Sequence, residues 1–134
     1  MNQLKAKIIH IESNTHMSLV DLAVGNDVLS ATLLETPEQV DYLQVGKQVT
    51  LLFKETEVSL AKNLTGLISL RNRLQAKVKH IERGKILSAV TLDYQNYSLV
   101  SVITTRGMDR LQLEVGDQVE ALIKANEVVL SHDL

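Results

Sequence analysis

Polar and apolar residues alternate over residues 5–11 (KAKIIHI) and again over residues 75–81 (QAKVKHI). That period of two is the mark of a strand with one buried face. A second such run follows each, at 18–24 and 88–94. Gly25-Asn26-Asp27 then predicts a hairpin turn into a third strand over 28–34. In the second half the turn falls on Gln95-Asn96-Tyr97, where Asn96 tolerates a positive φ. Next, Thr36 reads as an N-cap, Pro37 as a first helical residue and Gln39 as the far side of a capping box, which predicts a short helix to about Leu43. The second half offers Thr105 as a cap, but Gly107 weakens the helix there. "VGKQVTLLFK" and "VGDQVEALIK" predict a fourth strand, "EVSLA" and "EVVLS" a fifth. The order β-β-β-α-β-β in about 65 residues predicts an all-β protein of two tandem five-stranded OB-like β-barrels, each with one short helix. Strand periodicity alone equally allows an SH3-like barrel.

The halves are copies. A shift of 70 residues superposes Asn2 on Asn72, Leu4 on Leu74, His10-Ile11-Glu12 on His80-Ile81-Glu82, and Lys54 on Lys124. Without a gap, 23 of 63 positions from Asn2 to Leu64 are identical to their partners. Such a register marks an internal duplication. It divides the chain into a module at 1–64, a linker at 65–70 (TGLISL) and a module at 71–134.

The absence of Cys removes disulfide frameworks and Cys-based zinc sites. No apolar run approaches the length of a membrane helix, so the expectation is a cytoplasmic protein with no membrane partner. The aromatic content is 3%, and only Tyr42, Phe53, Tyr94 and Tyr97 could stack on bases. With basic and acidic residues interleaved, a direct nucleic-acid interface is not expected. Modules this small bury little surface alone, which points to a homo-oligomer.

Little supports catalysis, and no enzyme activity is expected. His10 and His80 sit at equivalent strand positions beside Glu12 and Glu82, and read as surface histidines rather than a metal or acid–base pair. No phosphate loop or nucleophile elbow occurs. Glu55 and Glu57 read as solvated. Charge, however, is uneven. Residues 1–64 hold five Lys/Arg and eight Asp/Glu, net −3, whereas residues 65–134 hold nine and eight, net +1. The second copy has gained Arg71, Arg73 and Arg106, a gain that on charge alone fits either an anion site or ordinary surface drift between the copies.

"SLRN" (Ser69 to Asn72), followed by "LQAKVKHIERG", resembles the Ser-Ala-Arg-Asn opening of the Mop module, the TOBE-type molybdate/tungstate-binding barrel of the molbindins. The likeness continues through "VITT" and "LEVGDQVEALIKANEVVLS", and includes the tandem layout of the di-Mop molbindins. The resemblance implies molybdate or tungstate as bound ligand, with no organic cofactor and no directly coordinated metal cation. It implies storage and homeostasis of the oxyanion. The same fold also serves as the ligand-sensing domain of molybdate-responsive regulators, and a ligand-free pairing module is a third reading.

By this resemblance the ligand residues are Ser69, Arg71, Asn72, Thr104, Lys124 and Ala125, with the Ser-x-Arg-Asn segment from one module and the Thr and Lys-Ala groups from a neighbour. It also implies a homo-oligomer, a trimer as in di-Mop molbindins or a dimer as in the regulators. The chemistry suits a tetrahedral dianion, which carries no proton near neutral pH and needs donors only. The first copy departs from the pattern. Met1 stands at the position of Arg71, Leu34 at that of Thr104 and Glu55 at that of Ala125, so only Asn2 and Lys54 remain there as weaker candidates.

Overall fold

The structure, a computed structural model, describes residues 1–132. Asp133 and Leu134, which close the second repeat, lie outside the described residues. The first repeat supplies β1 (Asn2–Ser13), β2 (Ser18–Val24), β3 (Asp27–Leu33), β4 (Gln48–Phe53) and β5 (Ser59–Ala61). The second supplies β6 (Asn72–Glu82), β7 (Leu87–Tyr94), β8 (Tyr97–Thr104), β9 (Gln118–Ile123) and β10 (Val129–Ser131). One helix, α1 (Thr105–Leu111), follows β8, and 3-10 turns at Glu55–Glu57 and Ala125–Glu127 follow β4 and β9.

The alternation behaves as expected. In β1, Asn2, Leu4, Ala6 and Ile8 are buried and the residues between them exposed; β6 repeats this with Asn72, Leu74, Ala76 and Val78. Both strands carry an irregularity at the same place, between Ile8 and His10 and between Val78 and His80. Such bulges bend a strand and let a small sheet coil.

The fifth strands are exchanged. The two five-stranded sheets run β10-β4-β1-β2-β3 and β5-β9-β6-β7-β8. Leu130 of β10 pairs with Leu51 of the first repeat, and Leu60 of β5 pairs with Ala121 of the second. Each barrel is therefore completed by a strand from the other repeat. Buried side chains of both halves, from Leu4, Leu51 and Phe53 to Leu74, Leu92 and Leu130, form one continuous core. Merging two cores offsets the surface-to-volume penalty that makes a module of this size marginal.

The helix expectation is corrected. Residues 37–39 form a single turn, and α1 of the second repeat is the one α-helix among the described residues. In the first repeat Gln39 Oε1 does accept from the Thr36 amide at 3.0 Å, as a capping box requires. But the capped turn does not propagate, and Leu43, fully buried, claims the chain a few residues later. In the second repeat the cap is Thr104 rather than Thr105. The Thr104 hydroxyl accepts from the Gly107 amide at 3.0 Å. A Cβ on Gly107 would stand 2.9 Å from that oxygen, so this glycine makes room for the cap that starts the helix. Thr105 turns inward, sharing a 2.8 Å hydroxyl contact with Ser88 and donating to the Gly84 carbonyl at 2.8 Å.

Candidate functional site

Arg71 lies just before β6, and Lys124 and Ala125 just after β9. β6 and β9 are antiparallel with Asn72 opposite Ile123. Continued by one residue, this register sets Arg71 across from Lys124, so two adjacent strand ends present two cations side by side. Both are exposed, and neither makes an ion pair or side-chain hydrogen bond with the described residues. Ser69 is exposed in the connector two residues upstream. Ala125 heads the 3-10 turn with a side chain too small to obstruct a ligand.

Thr104 is elsewhere. It pairs with Leu87 at the start of β7, whereas Arg71 precedes β6, whose first residues run on past the end of β7. The two are at opposite ends of the second barrel. Thr104 instead borders a cleft of about 570 Å³ with Ile103 and Arg110, faced by Thr56, Val58 and Leu60 of the first repeat. Its hydroxyl accepts from Gly107 and keeps its proton for donation. Within one chain, then, Arg71, Lys124 and Ala125 stand at one barrel end, with Ser69 two residues before Arg71 in the connector, and Thr104 does not join them.

Asn72 is fully buried. Its Nδ2 donates to the Ser30 carbonyl at 2.8 Å and its Oδ1 accepts from the Ser30 amide at 2.7 Å. Asn2 does the same to Val100, with both bonds at 2.8 Å. Both polar atoms of each side chain are therefore engaged across the seam between the repeats. Sequence reasoning placed these asparagines among ligand donors and missed Ser30 and Val100. One signal was available: Asn2 and Asn72 fall in the buried phase of their strands' alternation, where a polar side chain needs an internal partner.

At the first barrel's matching end, Asn2 faces Phe53, which brings Met1 beside Lys54 and Glu55. The terminal ammonium of Met1 donates to Glu55 Oε2 at 2.9 Å. That hydrogen bond, with a second from backbone, holds the Glu55 carboxyl below its ordinary value. Where the second repeat has an alanine, the first has a carboxylate already paired with a cation.

Of the arginines gained by the second repeat, Arg73 is not available to a ligand. Its guanidinium grips Glu120 through two bonds, 2.6 and 2.9 Å, and the hydrogen bond from Arg73 lowers the Glu120 carboxyl pKa. Arg106 is exposed on α1. His10 and His80 are exposed beyond the bulges, and no cluster of potential metal ligands forms among the described residues. Sequence reasoning also missed a stacked pair. Tyr42 and His132 rings lie 4.3 Å apart, 7° from parallel. The Tyr42 hydroxyl donates to Glu35 at 2.8 Å, and burial together with that carboxylate pushes its pKa up to about 12. No helix among the described residues is long and apolar enough to cross a membrane.

Comparison with known proteins finds relatives of the tandem fold. The TOBE domain model matches residues 1–60 and 68–130. Over 81 residues the chain is 43% identical to the molybdenum import ATP-binding protein ModC of Brucella abortus (strain 2308), covering 60% of this chain and 23% of that protein. Over 133 residues it is 27% identical to the molybdenum transport protein ModE of Herbaspirillum seropedicae, covering 97% of this chain and 49% of that one. The chain thus spans about a quarter of ModC and half of ModE. Among solved structures, the cytoplasmic molybdate-binding protein ModG with molybdate bound superposes with a TM-score of 0.90 at 31% identity, covering 97% of this chain and 94% of that one. With both of its repeats matched, the chain belongs to the TOBE domain family, as a tandem pair.

Proposed function

We propose that this protein binds molybdate or tungstate in the cytoplasm and serves as a store and buffer of the oxyanion rather than as an enzyme. The observation that carries the reading is the pair of cations without partners among the described residues, Arg71 and Lys124, just beyond the paired strand ends of the second barrel, with Ala125 next to Lys124 and Ser69 two residues before Arg71. The likeness over 97% of the chain to a molybdate-bound ModG supports the same ligand. A cationic, donor-rich cluster suits a fully deprotonated dianion. Phosphate carries a proton near neutral pH, and of these side chains only the Ser69 hydroxyl could accept from it. Sulfate is a dianion but smaller, so its contacts are poorer.

Thr104 belongs to this site only if it comes from another copy, because in one chain it stands at the barrel's far end. The reading therefore includes a homo-oligomer, most simply a trimer, in which the Ser69–Arg71 end of one copy meets the cleft bordered by Thr104 of the next. The apolar lining of that cleft, Val58, Leu60 and Ile103, suits a covered interface. Ligand and assembly would then stabilise each other. A second reading, a ligand-sensing part of a larger molybdenum-handling protein, is favoured by the alignment of 97% of the chain with only 49% of ModE.

Calorimetric titration with molybdate, tungstate, sulfate and phosphate, with light scattering on the same samples, tests the proposal. Molybdate or tungstate should bind well ahead of sulfate, and phosphate least. Equal affinity for phosphate and molybdate, or a stable monomer in saturating molybdate, overturns it.

A further inference from the structure

We infer that Asn72, although it adjoins Arg71, is a positioning residue for the anion-binding end of the second barrel: its side-chain amide locks the start of β6 to β3 of the first repeat. The inference rests on the molybdate reading and deepens it.

β3 is an edge strand of its sheet, and an edge presents unpaired amides and carbonyls. The Asn72 amide meets Ser30 there as another peptide group would, donating to its carbonyl at 2.8 Å and accepting from its amide at 2.7 Å. With 0% exposure and both polar atoms engaged, Asn72 has no face left for a solvent-side ligand. What it does hold is the chain at the point where Arg71 emerges.

The same strand supports the other donor segment. The 3-10 turn Ala125–Glu127, which directly follows Lys124, packs against β3. Both carriers of the proposed donors therefore rest on one strand of the opposite repeat. Donors act on an anion only when held within about 0.5 Å of the productive geometry. Loosening the clamp frees the Arg71 end from the Lys124 end without removing either charge.

The molecule contains its own control. Asn2 clamps Val100 on β8 with the same two bonds, but its end of the first barrel carries the Met1–Glu55 pair and the single cation Lys54 in place of two adjacent side-chain cations. A purely structural amide would matter equally at both seams. A positioning amide matters for binding at one.

The experiment compares Asn72→Leu with Asn2→Leu in the full chain, substitutions of similar volume that add no charge. Both should lower the thermal midpoint to a similar extent. Molybdate affinity should fall about tenfold in Asn72→Leu and stay within about twofold in Asn2→Leu. Wild-type affinity in Asn72→Leu, or equal losses in the two variants, overturns the inference and leaves the molybdate reading standing. If the wild type binds no molybdate, or Arg71→Met binds it normally, both fall together. Should Asn72→Leu not fold, hydrogen exchange on the wild type decides. Molybdate should slow exchange of the Ser30 amide more than that of Val100, and equal or absent slowing overturns the inference.

Discussion

The two barrel ends start from the same strand register and differ in charge. Asn2 lies opposite Phe53 as Asn72 lies opposite Ile123, and each asparagine grips the other repeat's edge strand. At the first end the next residues are Met1, Lys54 and Glu55, and a carboxylate and an ammonium satisfy each other at 2.9 Å. At the second they are Arg71, Lys124 and Ala125, and the two cations have no partner among the described residues. An isolated pair of neighbouring like charges is unfavourable unless an anion joins it. The scaffold has been kept at both ends, but two adjacent unpaired cations stand at the second and only Lys54 at the first. Duplication lets one fold vary the charge at one barrel end while each repeat still completes the other's barrel.

The widest gap between the ends should open on removing the charged fork. Arg71→Met gives the second end the side chain found at the first. A charge-assisted hydrogen bond is worth roughly 1.5–3 kcal/mol, so molybdate affinity should drop about tenfold to a hundredfold. Lys124→Ala should act in the same direction. Lys54→Ala, its counterpart, should change affinity little, because Glu55 already occupies the neighbouring position. Calorimetry on the three variants checks this, and a larger loss for Lys54→Ala than for Arg71→Met would place the working site at the wrong end.

A second comparison concerns the exchanged strands. Leu130 is 8% exposed and lies in the sheet of the opposite repeat, opposite Leu51. Leu130→Ala should cost about 2 kcal/mol, the lower part of the range for such truncations because the site lies near the sheet edge. Since the cores are continuous, the loss should lower one cooperative thermal transition of the whole chain. Two separate transitions in calorimetry, with only one of them shifted, would show that the repeats unfold independently.

The strand exchange also marks where sequence reading stopped. Alternation and the 70-residue shift located every strand, because burial on one face writes itself into every second residue. They did not reveal the partner of the last strand. "EVSLA" and "EVVLS" carry the same pattern, so either sheet would accept either strand, and the choice is made by the path of the chain after the 3-10 turns. The Thr36-Pro37-Gln39 signal was local and real, since Gln39 does cap Thr36, yet burial of Leu43 limits it to a turn. Arg71 and Lys124, read as donors through the family motif, stand just beyond paired strand ends, a neighbourhood the motif alone did not show. Asn72 was read in that same motif as a ligand residue, because its partner Ser30 lies 42 positions away and no local pattern points there.

The helix cap gives a smaller contrast. Thr104→Ala removes the hydroxyl that accepts from Gly107, at a cost of about 1 kcal/mol. Leu34, at the equivalent place in the first repeat, is 82% exposed and caps nothing, so Leu34→Ala should leave stability unchanged. Gly107→Ala is the subtler probe. Alanine favours a helix by about 1 kcal/mol over glycine, but its Cβ would crowd the Thr104 oxygen at 2.9 Å. The two effects should nearly cancel in urea denaturation, and a clear gain in stability would show that the cap yields without cost.

The faintest expected effect belongs to the ion pair at the first end. The Glu55 carboxyl is held below its ordinary pKa, chiefly by the hydrogen bond from the Met1 ammonium. A carboxyl depressed in the folded state contributes stability that is present above its unfolded pKa and is lost as the pH falls through its folded one. At neutral pH, wild type should therefore exceed Glu55→Ala in stability, but by well under about 1 kcal/mol, because the side chains stay 43% and 38% exposed and water screens the pair. The difference should shrink from about pH 4.5 downward and vanish once Glu55 is protonated in both states. Thermal midpoints of the two proteins from pH 7 to pH 3, at low and high salt, test this. A gap that widens on acidification, or that ignores salt, would mean that Glu55 supports the fold by some route other than its charge, and the contrast between an end with an ion pair and an end with two unpaired cations would lose its electrostatic basis.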